Sequence, residues 1–470
     1  MRAMSVLTIA NMLGGEVAVG DPCSTASEVC TDSRSIKAGD MFIALRGERF
    51  DGHDYIIESM ESGASGVVAE SLTREQTEVI LERQGFGILV EDTLKALQSL
   101  ASRYRQTLDV TCIAITGSTG KTTVKDMVKS VLSAAMPTVA TERSMNNEIG
   151  LPLTILNATD DTRFLVLELG MRGLGQIEEL SAIAKPDIGV ITNVNDTHIE
   201  LLGSRERIAQ AKSELVEAIP ESGGVVLNGD DPLVMSMADK CRGRVVTVGL
   251  SDHCDIRATE VSSIGALGVK FRVESPEPLE EVIVGIPGVH NVSNALLALG
   301  VCYLLGCPLR EGSRRLENIS RSGMRLDIKP ARKGVTVIDD SYNASPVSML
   351  AALRTLMEVG SSGRTIAVLG DMLELGTMSE EEHRRIGRFI ADAGPDITLT
   401  VGGHARLISE EIHRSGSGRV SESFGTTEEA SQRLRELLQP GDTVLIKGSR
   451  SMRMDCIVGD LDVYLGHRKS

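Results

Sequence analysis

The chain has 470 residues, 41 % of them hydrophobic, which is enough apolar material for several cores and excludes a disordered chain. Its 49 Lys and Arg stand against 65 Asp and Glu, a net charge of −16. So acidic a chain is excluded as a general nucleic-acid binder, because phosphate contact needs a basic surface.

Length alone predicts about three domains, at ~150 residues each. No apolar run reaches the ~18 residues of a membrane span, so no membrane insertion is expected. The eight cysteines are scattered without a C-x-x-C pair, and read as reduced thiols of a cytoplasmic protein. Residues 1–13 are mildly apolar, but Asn11 interrupts them and Glu16 follows, so they are not read as a signal peptide.

The first 108 residues carry short strand patterns and many turn residues, and predict a small α/β domain. From residue 110, apolar runs alternate with longer amphipathic stretches. The runs are 110–116, 164–169, 188–192, 225–227, 335–338, 366–369, 397–401 and 444–446. Most are rich in Val and Ile, which is the βα pattern of buried parallel strands. Ser and Gly cluster at 318–324, where a second break is expected. The predicted fold class is therefore α/β with three domains. They are a small N-terminal α/β domain (1–108), a central P-loop ATPase-like domain with a parallel or mixed sheet (109–322), and a Rossmann-like C-terminal domain (323–470).

Ligands of open α/β sheets sit beyond the carboxyl ends of the strands. That rule selects residues 117–123, Glu168, 193–198, 340–343, Asp371 and Lys447. They come from both later domains, so one site in the cleft between them is expected.

Residues 111–124 read TCIAITGSTGKTTV. An apolar strand runs into Gly117, Ser118, Thr119, Gly120, Lys121, Thr122 and Thr123, with a helix predicted over 125–134. The two glycines let backbone N–H groups turn toward phosphate oxygens. Lys121 suits the β- and γ-phosphates, and the Thr122 hydroxyl suits Mg²⁺. The first glycine of the general phosphate-loop pattern is missing, since Ile115 stands there; an ordinary glycine turn is the competing reading.

Glu168 ends an apolar strand in LELGM, within reach of an ion held by Thr122. A solvent-facing carboxylate would look the same. His198 lies in NVNDTHIE after the next strand, where a structural histidine is the commoner case. Lys212, in AQAKSEL, reads by itself as a solvated charge on a helix. The segment IPGVHNVSNALL carries His290, Asn291 and Asn294 at a helix start. The Asn amides suit an adenine edge, and simple helix capping by Asn291 is the alternative.

In this order, TGSTGKTT, LELGM, NVNDTHIELLGS, AKSEL and GVHNVSNALLAL resemble the Mur ligase family of peptidoglycan synthesis, over nearly the whole chain. The resemblance implies ATP and Mg²⁺ as cofactors. It implies Lys121, Glu168, His198 and Lys212 as catalytic residues and Thr122, Glu168, His198 and Lys212 as the metal set, with Lys212 carbamylated. It further implies adenine contacts at His290, Asn291 and Asn294, and ATP contacts at Arg325 and Asp340. The segment 31–55, TDSRSIKAGDMFIALRGERFDGHDY, is similar to the family's uridine-nucleotide segment and brings in Ser33 and Arg34. TERSMNNEIGLPLTIL, with Asn146 and Asn147, resembles the substrate loop of the dipeptide-adding branch. IDDSYNASP, LGDMLELG and IKGSRSMRMD resemble that branch's C-terminal segments, and imply roles for Asn343, Asp371, Lys447 and Arg450 in binding the dipeptide or the closed state. The expected substrates are UDP-N-acetylmuramoyl-tripeptide, bound by residues 1–108, and D-alanyl-D-alanine. They are joined through an acyl phosphate by a monomeric cytoplasmic enzyme that binds no nucleic acid.

The chain departs from the family pattern at Ser144, where Asn is usual, at Asp455, where Glu is common, and at 324–327, where Met-Arg-Leu-Asp replaces a G-R-L-E-like run. A related ligase adding the third residue, a P-loop NTPase without an acceptor and an inactive paralogue remain as alternatives.

Overall fold

A computed structural model describes all residues except 48, 143, 320–322, 331–333, 361–362 and 467–470. The expected break at 318–324 therefore falls partly outside the described residues. Three α/β layers follow one another along the chain, each built on its own main sheet.

The first sheet has five strands, in the order Glu16–Val19, Phe86–Leu89, Gly66–Ala69, Asp40–Ile43 and Glu28–Cys30. Its first pair is antiparallel and the rest are parallel. The last sheet has six strands, Asp327–Pro330, Thr336–Asp340, Thr443–Lys447, Thr365–Gly370, Ile397–Val401 and Val420–Phe424. Again only the first pair is antiparallel.

The central sheet has nine strands. Seven run parallel from Thr138–Ala140 at one edge to Ile256–Ser263. Two antiparallel strands, Val269–Glu274 and Leu279–Val284, extend the other edge. That extension has no counterpart among the predicted runs, because its residues alternate polar and apolar. Such alternation marks an antiparallel ribbon with one wet face. The strand Thr111–Thr116 lies between Phe164–Glu168 and Ile188–Ile191. The chain leaves it to both sides, which opens a crevice at its carboxyl end.

Successive side chains of Thr111–Thr116 point to opposite faces. Cys112 and Ala114 enter one core with the helices Thr93–Arg105, Gly150–Leu156, Gln176–Ala184 and Arg205–Ala218. Ile113 and Ile115 enter the other with Lys121–Leu132 and Asn291–Leu304. The first of these cores does not stop at the central sheet. It continues without a break into Met41, Ile43, Val68, Phe86 and Ile88 of the first sheet. The C-terminal layer keeps its own two cores.

The helix Thr93–Arg105 joins the first layer to the second with polar bonds as well. Tyr104 is fully buried; its hydroxyl donates to Ala158 O at 2.8 Å and accepts from Arg2 N–H at 2.8 Å. Arg105 donates to Ala184 O and meets Asp187 at 3.2 Å. Tyr104→Phe leaves a buried carbonyl and an amide without their partner, and should cost about 1–3 kcal/mol. The urea midpoint should fall with ATP binding unchanged; an unchanged midpoint would show the bonds to be dispensable.

Candidate active site

The phosphate-loop helix begins at Lys121, four residues earlier than the sequence suggests, after Gly120 in the left-handed conformation (φ 82°). No side chain caps it and no acid sits in its first turn. Its first N–H groups are therefore left for an anion. The loop itself is held by residues that follow the neighbouring strand. Asn193 Oδ1 accepts from Thr119 N–H at 3.0 Å, and Thr192 Oγ1 donates to Thr119 O at 2.6 Å. Lys121 Nζ folds over the loop and donates to Gly117 O at 2.8 Å. Burial lowers its pKa, against the pull of Glu168 and with a push from Arg325.

Glu168 is buried at the end of its strand. Its Oε2 accepts from the Thr122 hydroxyl at 2.7 Å and its Oε1 from Asn146 Nδ2 at 2.8 Å. Its own N–H donates to Thr141 Oγ1 at 3.0 Å. A carboxylate and a hydroxyl side by side form a hard-oxygen pair that fits Mg²⁺. Among the described residues no group of three or more His, Cys, Asp and Glu could hold an ion. An ion here would thus take most of its ligands from substrate and water.

Lys212 is not the solvated charge its helix position first suggests. It is 1 % exposed, lines the cleft, and has no hydrogen-bond or ion-pair partner among the described residues. Burial, reinforced by Lys121, drives its pKa well below the ordinary lysine value and favours the neutral amine. His198 adopts a left-handed backbone (φ 65°), and its Nδ1 lies 2.6 Å from Glu374 Oε2 of the C-terminal layer. The approach is off the hydrogen-bonding direction of the ring. His198 and, more weakly, Arg172 hold the Glu374 carboxyl below the usual range, against partial burial.

Asn291 does not cap its helix. Its amide donates to Pro287 O at 2.7 Å and accepts from Asn294 Nδ2 at 2.9 Å. Asn294 Oδ1 in turn packs on Gly120, where a Cβ would lie 2.7 Å from it. The two amides thus tie the phosphate loop to the helix Asn291–Leu304. His290 opens onto the cleft. Confinement there favours its neutral ring, with Asp340 opposing and Lys447 adding to the effect.

From the C-terminal layer, Lys447 is buried rather than solvated, and meets Asp340 at 2.5 Å and Asn343 O at 2.9 Å. The Arg325 guanidinium stacks over the Tyr342 ring at 4.2 Å. These groups, Arg450 and the central residues above line one cleft of about 1100 Å³. Asn147 also reaches it, with its Oδ1 accepting from Gly150 N–H at 2.9 Å. Thr122 stands just behind the wall, buried against Glu168.

Three expected site residues lie elsewhere. Ser33 and Arg34 sit on a short turn of the first layer, away from the cleft lining. Arg34 folds back on Asp32, with both contacts at 2.8 Å. Asp371 spends a carboxylate oxygen on the N–H groups of His404 and Ala405 at the start of the helix Arg406–Ser415. The strand before it extends to Gly370, and the acid its loop sends into the cleft is Glu374. Sequence reasoning passed over Glu374, although it lies in the LGDMLELG run. The available signal was a second carboxylate in a loop that follows a parallel strand.

Residues 115–302 match the family model described as the Mur ligase middle domain. Residues 324–450 match "Mur ligase, glutamate ligase domain", and 25–105 match "Mur ligase family, catalytic domain". The UDP-N-acetylmuramoyl-tripeptide–D-alanyl-D-alanine ligase of Bacillus subtilis is 37 % identical over 463 residues, covering 98 % of this chain and 99 % of the relative. MurF from Acinetobacter baumannii superposes with a TM-score of 0.87 at 29 % identity, over 98 % of this chain and 99 % of that one. MurF from Thermotoga maritima, solved in complex with ADP, gives 0.79 at 28 % identity, over 94 % and 98 % of the two chains.

Proposed function

Since the chain belongs to the Mur ligase family, we propose that it joins D-alanyl-D-alanine to UDP-N-acetylmuramoyl-tripeptide at the expense of ATP. The observation that carries this reading is the single cleft. It joins the phosphate loop, Glu168 with Thr122 behind it, and the C-terminal strand ends, in a chain that matches such a ligase end to end.

A free carboxylate is a poor electrophile because its leaving group would be oxide. Transfer of the ATP γ-phosphoryl group to a carboxylate oxygen gives an acyl phosphate and ADP. The dipeptide amine then attacks the carbonyl carbon, phosphate leaves with the C–O electrons, and the amine proton passes to water. Both steps bring anions together, so the difficulty is mainly electrostatic. The uncapped helix start and Lys121 bind the ATP phosphates, which take over Lys121 from the loop carbonyls. Thr122 and Glu168 would hold one Mg²⁺, and His198 and Lys212 a second. The metal supplies charge neutralisation at the phosphoryl oxygens. For that role Lys212 must become an anion. Its neutral amine can add to carbon dioxide, giving a carbamate and releasing one proton.

Residues 1–108 form the part that binds the uridine nucleotide, with Ser33 and Arg34 at its contact, while Asn146 and Asn147 meet the peptide. Residues 109–322 bind ATP, with His290, Asn291 and Asn294 on the adenine side. Residues 323–470 close over the cleft and exclude water from the acyl phosphate. Arg325 and Asp340 reach ATP, and Asn343, Lys447 and Arg450 reach the dipeptide. Asp371 acts at one remove, by shaping the loop that carries Glu374. No helix among the described residues is long and apolar enough to cross a membrane. An enzyme that uses ATP and a UDP-linked substrate acts in the cytoplasm, here as a monomer.

Phosphate release should require ATP, Mg²⁺ and both substrates together, and mass spectrometry should find the pentapeptide product. Release that needs neither acceptor nor dipeptide would replace the ligase with an NTPase.

A further inference from the structure

We propose that Glu374 is a positioning residue that takes the Nδ1 hydrogen of His198, so that the histidine of the site is fixed only when the C-terminal layer closes on the central one. The proposal deepens the ligase reading and rests on it for the role of His198.

The two residues meet across the interface with Nδ1 and Oε2 2.6 Å apart. Both stand in the left-handed region, Glu374 at φ 64° and His198 at φ 65°. Residues with a side chain rarely adopt that conformation unless their surroundings hold it, and such positions gather at functional sites. The surroundings here do hold it. Before Glu374, the Leu373 N–H donates to Ser449 Oγ at 2.9 Å, and the Met372 N–H to Nε2 of the buried His383 at 3.0 Å. After it, Gly376 packs on Glu200. On the facing side, the Ile199 N–H donates to Asp196 O, and the Asp196 carboxylate is held by Arg205 at 2.6 Å.

The hydrogen bond made by one imidazole nitrogen decides what the other can do. With a carboxylate on Nδ1, the hydrogen stays there and Nε2 keeps its lone pair for the cleft. An outer carboxylate behind a ligating histidine is a common arrangement, and it orients the ring as well as setting the tautomer. In this chain the carboxylate arrives from another layer of the fold. The present contact has the distance of a hydrogen bond but not its direction, so the ring has to turn before Nδ1–H points at Oε2.

The test uses the full chain labelled with ¹⁵N-histidine, with His198 assigned through the loss of its signals in His198→Gln. Without substrates, His198 should carry its hydrogen on Nδ1. In Glu374→Ala, and in Glu374→Gly, which tolerates φ 64° without strain, the hydrogen should move to Nε2. Glu374→Gln should retain the Nδ1 form, because its amide oxygen accepts the same bond. In turnover, Glu374→Ala should lower kcat by about 10-fold or more, the usual effect of removing such a partner. KM for ATP should stay nearly constant, and Glu374→Gln should recover most of the rate. Unchanged His198 signals in the Ala and Gly variants would overturn the proposal, and so would a Gln variant as impaired as Ala. The tautomer is read without catalysis, so a failure of the ligase reading would leave this result standing on its own.

Discussion

Replacing Lys212 by Met is expected to slow ligation by orders of magnitude while leaving the fold as stable as before, or more so. The lysine is 1 % exposed and has no partner among the described residues. Burying an uncompensated ammonium costs several kcal/mol, so the group sheds its proton instead. Methionine has similar length and no charge to strip of water. Activity should fall on the order of 10²–10³-fold, the size seen when one preorganised electrostatic group is removed. Stability should also lose a pH dependence. Between the lowered pKa of folded Lys212 and the ordinary ~10.4, the unfolded chain holds a proton that the folded chain lacks. The native protein therefore gains stability as pH rises through that window, and Lys212→Met should not. Melting curves in carbonate-free buffer at rising pH, beside initial rates, check both points. In Lys212→Ala, added short-chain carboxylic acids should restore part of the rate by filling the vacated place. Full activity in Lys212→Ala that such acids leave unaltered would remove the carbamate from the mechanism.

Gly117→Ala should be nearly as damaging, through geometry alone. A Cβ at this position would lie 1.8 Å from Thr192 Oγ1, on a backbone at φ 150°. The threonine cannot simply turn away, because its hydroxyl donates to Thr119 O at 2.6 Å. The loop backbone has to move, and the N–H groups aimed at phosphate move with it. ATP affinity should drop by at least ~100-fold, with a stability loss of about 1–3 kcal/mol from strain and overpacking. Calorimetric titration with ATP and a denaturant melt measure the two effects separately. Gly459→Ala is the control: nothing lies within 4 Å of its Cβ, and it sits in the helix Asp455–Leu465. That change should stabilise by roughly 0.5–1 kcal/mol. A Gly117 variant that binds ATP as well as the control would refute the steric argument.

The eight apolar runs were legible because buried parallel strands are apolar on both faces and need no partner to be recognised. The antiparallel ribbon from Ile256 to Val284 was not, since its alternation is shallow and broken by irregular register. The strand-end rule picked out Glu168, His198 and Lys447, which line the cleft, from position alone. It failed at Asp371 for a local reason: two backbone N–H groups of the next loop claim that carboxylate. Glu374 owes its place beside His198 to a meeting of two layers, and spacing along one chain segment does not encode such a meeting. Lys212 shows the same limit from the other side. A helical lysine looks solvated until the structure shows it buried with its neighbours Ala211 and Ser213, at the wall of the cleft.

The unbroken core that runs from the first sheet into the second has a consequence for how the chain is made. Its members extend from Met1 to Met237, and the first sheet's share is complete at Ile88. On a ribosome, the apolar side of the helix Thr93–Arg105, with Leu97, Leu100 and Ala101, is finished before the helices Gly150–Leu156 and Gln176–Ala184 that pack against it exist. At ~5–20 residues per second, the roughly 80 residues from Arg105 to Ala184 occupy about 4–16 s. For that time the nascent chain shows a sticky half-core to everything near the exit tunnel. The C-terminal layer, with cores of its own, has no such wait.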